Sequence, residues 1–184
     1  LFHNIGTADD VTALFAKDGS GRSAVDAFVR IRDEGMARFI GITGHHDSNQ
    51  LLAVLDHPEA PAFDCVLMPL NPADIHRDPF QDILLPQAVD RNMGVIAMKV
   101  TAMAKLFPEI PNMADCLYYP YSFPISTAIV GVRSVQEVEQ NVQLTAQFTA
   151  PLTPTELTAL ESLTSPTPDD QSVQRGDWFK VWRY

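Results

Sequence analysis

The sequence predicts an α/β fold built from parallel strands. Three observations carry that expectation. Short runs rich in Ile, Val, Leu and Met alternate with stretches whose apolar residues recur every three to four positions. The apolar runs are nearly continuous rather than alternating, as in strands covered on both faces. Each run ends in a polar or glycine-containing cluster, which is where parallel β/α folds gather their reactive groups.

Leu1-Phe-His-Asn-Ile5 reads as the end of a strand. A helix is predicted from Ser20 to Asp33, because Val25, Phe28 and Ile31 share a face and Gly35 follows as a stop. Arg38 to Thr43 is a strand ending in Gly44-His45-His46-Asp47, and Asp47 caps a helix carrying Leu51, Leu52, Val54 and Leu55. Phe63 to Met68 is the third strand, and Pro69 and Pro72 force a loop after it. A helix from Leu85 to Asn92 accepts Pro86 in its first turn. Gly94 to Val100 is the fourth strand, and Met113 to Tyr119 is a short helix that Pro120 should stop. Thr127 to Gly131 is the fifth. After it, Ser134 and Glu137 have the spacing of a capping box, as do Thr153 and Glu156 with Pro154 between them. Residues 164–184 read as a polar, proline-rich loop and an aromatic tail expected to dock on the body. The whole is expected to be a single domain over residues 1–184.

Composition narrows the function. With 184 residues, 46% of them apolar, there is a core to bury, and no apolar run is long enough for a transmembrane helix. The net charge of −10, without a basic block, speaks against nucleic acid and anionic membranes. It leaves room for a phosphorylated cofactor held by local donors. No signal-peptide pattern opens the chain, and Cys65 and Cys116 read as buried free thiols of a reducing cytoplasm, with one disulfide as the alternative. The oligomeric state is not legible.

The strand ends carry the candidate chemistry. Gly131-Val-Arg-Ser134 is a glycine, an arginine and a capped helix start, the pattern of an anion-binding turn, though an ordinary cap with a surface arginine has the same residues. His3 has the chemistry of a general acid/base or a carbonyl-polarising group, and equally of a structural strand-end histidine. His45 and His46 are adjacent and point to opposite sides, a poor metal pair. Lys99 ends an apolar strand, where it has three readings: Schiff-base nucleophile of a lyase, partner of a cofactor phosphate, or surface residue.

Taken in order, these segments resemble the aldo-keto reductase family. The resemblance rests on Gly35-Met-Ala-Arg-Phe-Ile-Gly-Ile-Thr43, Phe63 to Asn71, Gly94-Val-Ile-Ala-Met-Lys99 and Ile129-Val-Gly-Val-Arg-Ser-Val-Gln-Glu-Val-Glu-Gln-Asn141. It covers about residues 1–160 and is specific as a series. It implies a (β/α)8 TIM barrel, of which this chain supplies about five parallel strands, the fourth to the eighth, leaving two open sheet edges. Leu1 in place of Met then reads as a cut through the fourth strand.

The resemblance also implies a reaction, NAD(P)H-dependent hydride transfer to a small aldehyde or ketone. Of the family's catalytic Asp, Tyr, Lys and His, only the His has a counterpart here, His3. By the same resemblance Thr43 and Gly44 lie at the nicotinamide carboxamide. Met98 lies where many members stack an aromatic, with Lys99 beside it. Gly131, Arg133 and Ser134 line the phosphate loop, and Gln140 and Asn141 approach the adenine. Glu137 stands where some members place an arginine for the 2′-phosphate, so NADP is expected with NAD possible. A non-catalytic, cofactor-binding subunit of the same fold is the competing expectation.

Overall fold

The computed structural model describes residues 1–76 and 78–165. The expected docked tail therefore lies outside the described residues. A parallel sheet of four strands runs in the order β1 (Gly41–Thr43), β2 (Cys65–Pro69), β3 (Gly94–Met98), β4 (Thr127–Ala128). Helices α1 (Ala8–Phe15) and α2 (Ala24–Asp33) precede it. Between β1 and β2 lies α3 (Ser48–Leu55), and between β2 and β3 lie α4 (Phe80–Ile83) and α5 (Leu85–Asp90). The chain then continues through α6 (Met113–Tyr121), before β4, to α7 (Val135–Gln147) and α8 (Pro154–Leu163).

The expected first strand is reduced to one parallel bridge, Phe2 to Ile42. Its hydrogen bonds are those of a strand all the same: Phe2 N–H to Gly41 O (2.9 Å), Thr43 N–H to Phe2 O (3.0 Å) and Ile5 N–H to Thr43 O (3.0 Å). So four strands, not five, form the sheet proper. The strand expected over 38–43 shortens because the Asp64 carboxylate takes the Ile40 N–H (2.8 Å), a side chain standing in for the ladder. α2 begins at Ala24 rather than Ser20. Asp18 accepts from the Ser20 and Arg22 N–H groups, Gly21 adopts φ +76°, and Ser23 caps the helix reciprocally with Asp26. The helix expected over 85–92 is α5, which ends at Asp90, and the short α4 precedes it. Pro120 does not stop α6; it lies inside the last turn and the helix ends at Tyr121.

α1 is absent from the expectations above. Its signal is present, however: Thr7 and Asp10 form a full capping box, and Phe15 is buried.

The two faces of the sheet differ. Ile42, Val66, Met68 and Val95 are buried among Leu51, Val54, Phe80, Leu84 and Ala88 of the overlying helices, and Ala97 is buried too. On the other face Cys65 pairs in register with Gly94 and Leu67 with Ile96, and all four are only half-buried. Cys65 is thus not the buried thiol expected from the sequence, because it sits on the uncovered face. Cys116 is fully buried, and both thiols are free.

α7 buries no residue, and Val135, Val138 and Val142, on one face by their spacing, are 68%, 44% and 63% exposed. It is held from α6, where Tyr118 donates to Leu144 O (2.9 Å) and the Tyr121 hydroxyl meets the Thr145 hydroxyl (3.2 Å).

Candidate functional site

The carboxyl ends of β1 and β3, with the Phe2 bridge, bring five of the expected residues into one region. His3 is held there because its neighbours are fixed. Phe2 is stacked on Phe28 with ring centroids 3.6 Å apart, and Ile5 is buried and bonded to Thr43. The His3 side chain itself is exposed. Its ring lies 5.5 Å from that of His45, edge to face, and His45 lies 6.1 Å from His46. His45 is 8% exposed. Burial first, then the charge of Lys99 and the neighbouring His3 and His46, hold its pKa at about 4, so it is a neutral imidazole at neutral pH.

Thr43 is buried, and its hydroxyl donates to Leu67 O across to β2 (2.8 Å). What it can still offer a ligand is an acceptor, which suits an amide N–H. Gly44 follows because nothing larger fits: a Cβ there would lie 2.2 Å from Ile5 O and 3.3 Å from Leu51 Cδ1. This is how the chain passes close under His3.

Lys99 stands one residue beyond β3 in the left-handed region, φ 57°. Its carbonyl is held twice, by Asn71 Nδ2 (3.1 Å) and by the Ala102 N–H (2.7 Å). Asn71 is wholly buried and also accepts from the Ala73 N–H (3.0 Å), so it ties the end of β2 to the turn that carries Lys99. Met98 is 7% exposed and paired in register with Pro69.

The segment 131–141 stands apart from this group. Among the described residues no hydrogen bond, ion pair or ring contact joins the two. Gly131, Arg133, Ser134 and Gln140 are exposed and Asn141 is half-buried. Ser134 caps α7 by accepting from the Glu137 N–H (3.2 Å). The capping box is only half formed, because the Glu137 carboxylate takes the Arg133 N–H (2.7 Å) instead of the cap residue's own. The Val135 and Gln136 N–H groups carry no hydrogen bond among the described residues. Open space surrounds Gly131. A diphosphate fits this turn, with two spare N–H donors and the Arg133 guanidinium. A further phosphate meets the Glu137 carboxylate.

Two residues of this region carried no assigned role from the sequence, His45 and Asn71. Their signal is position: each stands two residues beyond the carboxyl end of a strand. Among the described residues two buried polar atoms near His3 and His45, Asn4 Oδ1 and His46 Nδ1, have no hydrogen-bond partner. Among the described residues no three His, Cys, Asp or Glu side chains converge as metal ligands, and no helix is long and apolar enough to cross a membrane.

No family model matches the sequence, and no curated protein matches it closely. Solved structures do. One is an aldo-keto reductase from Bacillus halodurans in its holo form, at TM-score 0.56 and 16% identity over 77% of this chain and 55% of that one. A glycerol dehydrogenase from Gluconobacter oxydans matches at TM-score 0.57 and 16% identity, over 85% and 59%. An aldose reductase from Giardia lamblia matches at TM-score 0.51 and 16% identity, over 83% and 56%. The chain spans a little over half the length of these structures, and at such identities the likeness concerns the fold.

Proposed function

We propose that this chain, whose fold is that of part of an aldo-keto reductase (β/α)8 barrel, carries the histidine and the dinucleotide-binding half of an NAD(P)H-dependent carbonyl reductase. The observation that supports this reading most is the grouping of His3, Thr43, Gly44, His45 and Lys99 at the carboxyl ends of parallel strands, the end where such barrels react. Bound dinucleotide would supply the hydride. The chain's own residues orient and bind. His3, exposed beside the sheet, donates a hydrogen bond to the carbonyl oxygen and polarises it. The acceptor side of Thr43 takes the carboxamide N–H, Gly44 keeps the backbone close enough for that contact, and Met98 and Lys99 flank the ring. Arg133 and the open N–H groups of α7 hold the diphosphate, with Gln140 and Asn141 towards the adenine.

The 184 residues hold no counterpart of the family's proton donor or of that donor's Lys and Asp partners. The chain alone therefore binds dinucleotide without reducing carbonyls. Titration with NADH and NADPH tests the binding: Arg133→Ala weakens both by about tenfold, the worth of one charge-assisted contact. Glu137→Arg tightens NADPH relative to NADH. No binding by either dinucleotide defeats the reading. NADPH oxidation with an aldehyde panel, abolished by His3→Ala, defeats the claim that the chain alone is inactive. A Schiff base on Lys99, trapped with borohydride, would favour a lyase instead.

A further inference from the structure

Parallel sheets of β/α folds are covered on both faces. Here one face lies under the helices and the other does not. On the second face Gly41, Cys65 and Gly94 stand in register, and one step further Leu67, Ile96 and Thr127 do. The Ile129 N–H continues the ladder to Ala97 O (2.8 Å), so by alternation Ile129 returns to this face, where it is 53% exposed. At the other side lies Leu1, 46% exposed. A Cβ on Gly41 would stand 2.7 Å from both Leu1 Cδ2 and Cys65 Sγ, which puts those two side chains together on the face. Among the described residues Leu1, Cys65, Leu67, Ile96 and Ile129 join neither hydrophobic core. None of them has a charged side chain. Gly94 leaves room in its row, since a Cβ there would meet nothing nearer than 3.6 Å.

We propose that in the 184-residue chain the segment 177–184, Asp-Trp-Phe-Lys-Val-Trp-Arg-Tyr, lies across this face and covers it, with an aromatic ring over Gly94. The segment lies outside the described residues, but the point from which it departs does not. Thr164 donates to Pro72 O (2.9 Å) and its hydroxyl meets the His76 ring (3.1 Å), and Pro72 stands three residues beyond the carboxyl end of β2, an inner strand of the sheet. Residues 166–176 can span up to about 36 Å. The five residues of β2 span about 17 Å, so the segment reaches any part of the face. Trp and Tyr suit the place, because each buries a large apolar area and keeps a polar edge for the rim. The competing surface is the single row of Val135, Val138 and Val142 on α7. The sheet face is broader, and the chain leaves the body from the sheet. The proposal concerns this face and not the site at the strand ends, so it is independent of the carbonyl-reducing reading.

Trp178 and Trp182 are the only tryptophans of the sequence, so intrinsic fluorescence reads this segment alone. Emission from the 184-residue chain should lie to the blue of that from the free peptide 166–184, and acrylamide should quench it less. Ile129→Lys, at an exposed position, should move both readings towards those of the peptide. Ile96→Thr should do the same with the strand kept, since Thr is also a good strand former. Val142→Lys should change neither. Circular dichroism shows whether each variant is folded, and Ile129→Lys carries the test if Ile96→Thr is not. Peptide-like emission from the unsubstituted chain overturns the proposal, and so does emission that the folded sheet variants leave unchanged. Release by Val142→Lys overturns it by placing the segment on α7. Protection that fades on dilution overturns it by giving the face to a second copy of the chain.

Discussion

Two β/α units of the same sheet are built from the same grammar and end differently. β1 and α3 bury all three strand residues and Ser48, Leu51 and Val54 of the helix. β4 and α7 leave the strand exposed to half-buried and bury nothing of a longer helix. Local signals are equally good in both: each helix has a side-chain N-cap, Asp47 in one and Ser134 in the other. The difference lies in what stands next to each. α3 has α1 and α4 as neighbours and the bridge of Phe2 completes its strand on the outer side, whereas among the described residues α7 packs mainly on α6. Capping starts a helix, and neighbours bury it.

Glycine substitution gives the largest predicted contrast. Gly44→Ala places a methyl 2.2 Å from a backbone oxygen and should cost about 4 kcal/mol or more, while Gly131→Ala meets nothing and should stay within about 0.5 kcal/mol. Urea midpoints of the two variants measure this, and equal midpoints would dissolve the distinction between the units. Truncation comes next. Leu51→Ala, at 0% exposure, should lose about 2–5 kcal/mol by the same measurement. Val142→Ala, at 63%, should lose about 0.5 kcal/mol or less. A large loss at Val142 would mean that something covers α7 in solution.

Acid supplies the third contrast. His45 is held down from 6.5 to about 4, so the unfolded chain takes up its proton first as pH falls. Stability is unaffected above 6.5, declines between 6.5 and about 4, and has then lost about 3 kcal/mol. His45→Phe should flatten that window in urea melts at pH 7 and 4.5, and a slope unchanged by the substitution would refute the assignment.

What the sequence made legible follows from how local each signal is. The N-caps at Asp47, Ser134 and Thr153 are short-range and were all found, since a hydroxyl or carboxylate bonding two or three residues on needs nothing from the rest of the chain. The Glu137 half of the Ser134 box is not legible, because the carboxylate has two backbone donors in reach and the spacing does not rank them. The helix at Ala8–Phe15 is masked in the sequence by its polar first turn, although Thr7 and Asp10 spell the box. Strand lengths failed for a tertiary reason. Arg38 to Ile40 looks like a strand, but the Ile40 N–H goes to the Asp64 side chain and only its carbonyl to the Asp64 backbone, and among the described residues no further strand pairs with β4. At the site, His3, Thr43 and Lys99 could be placed at strand ends from the pattern alone. The meeting of His45 with His3, and the clasp of Asn71 on Lys99, depend on which strands become neighbours, and that is written across 42 and 28 residues rather than in any one segment.

The uncovered face of the sheet carries its own chemical clock. Cys65 lies on it, half-buried, and burial raises its thiol pKa, so it should alkylate slowly. Cys116, wholly buried and pushed up to about 12, is the inert internal standard in the same molecule. The ratio of the two labelling rates counts the time that face spends open to solvent, and anything that closes the barrel over it will be timed by the silence of a single sulfur.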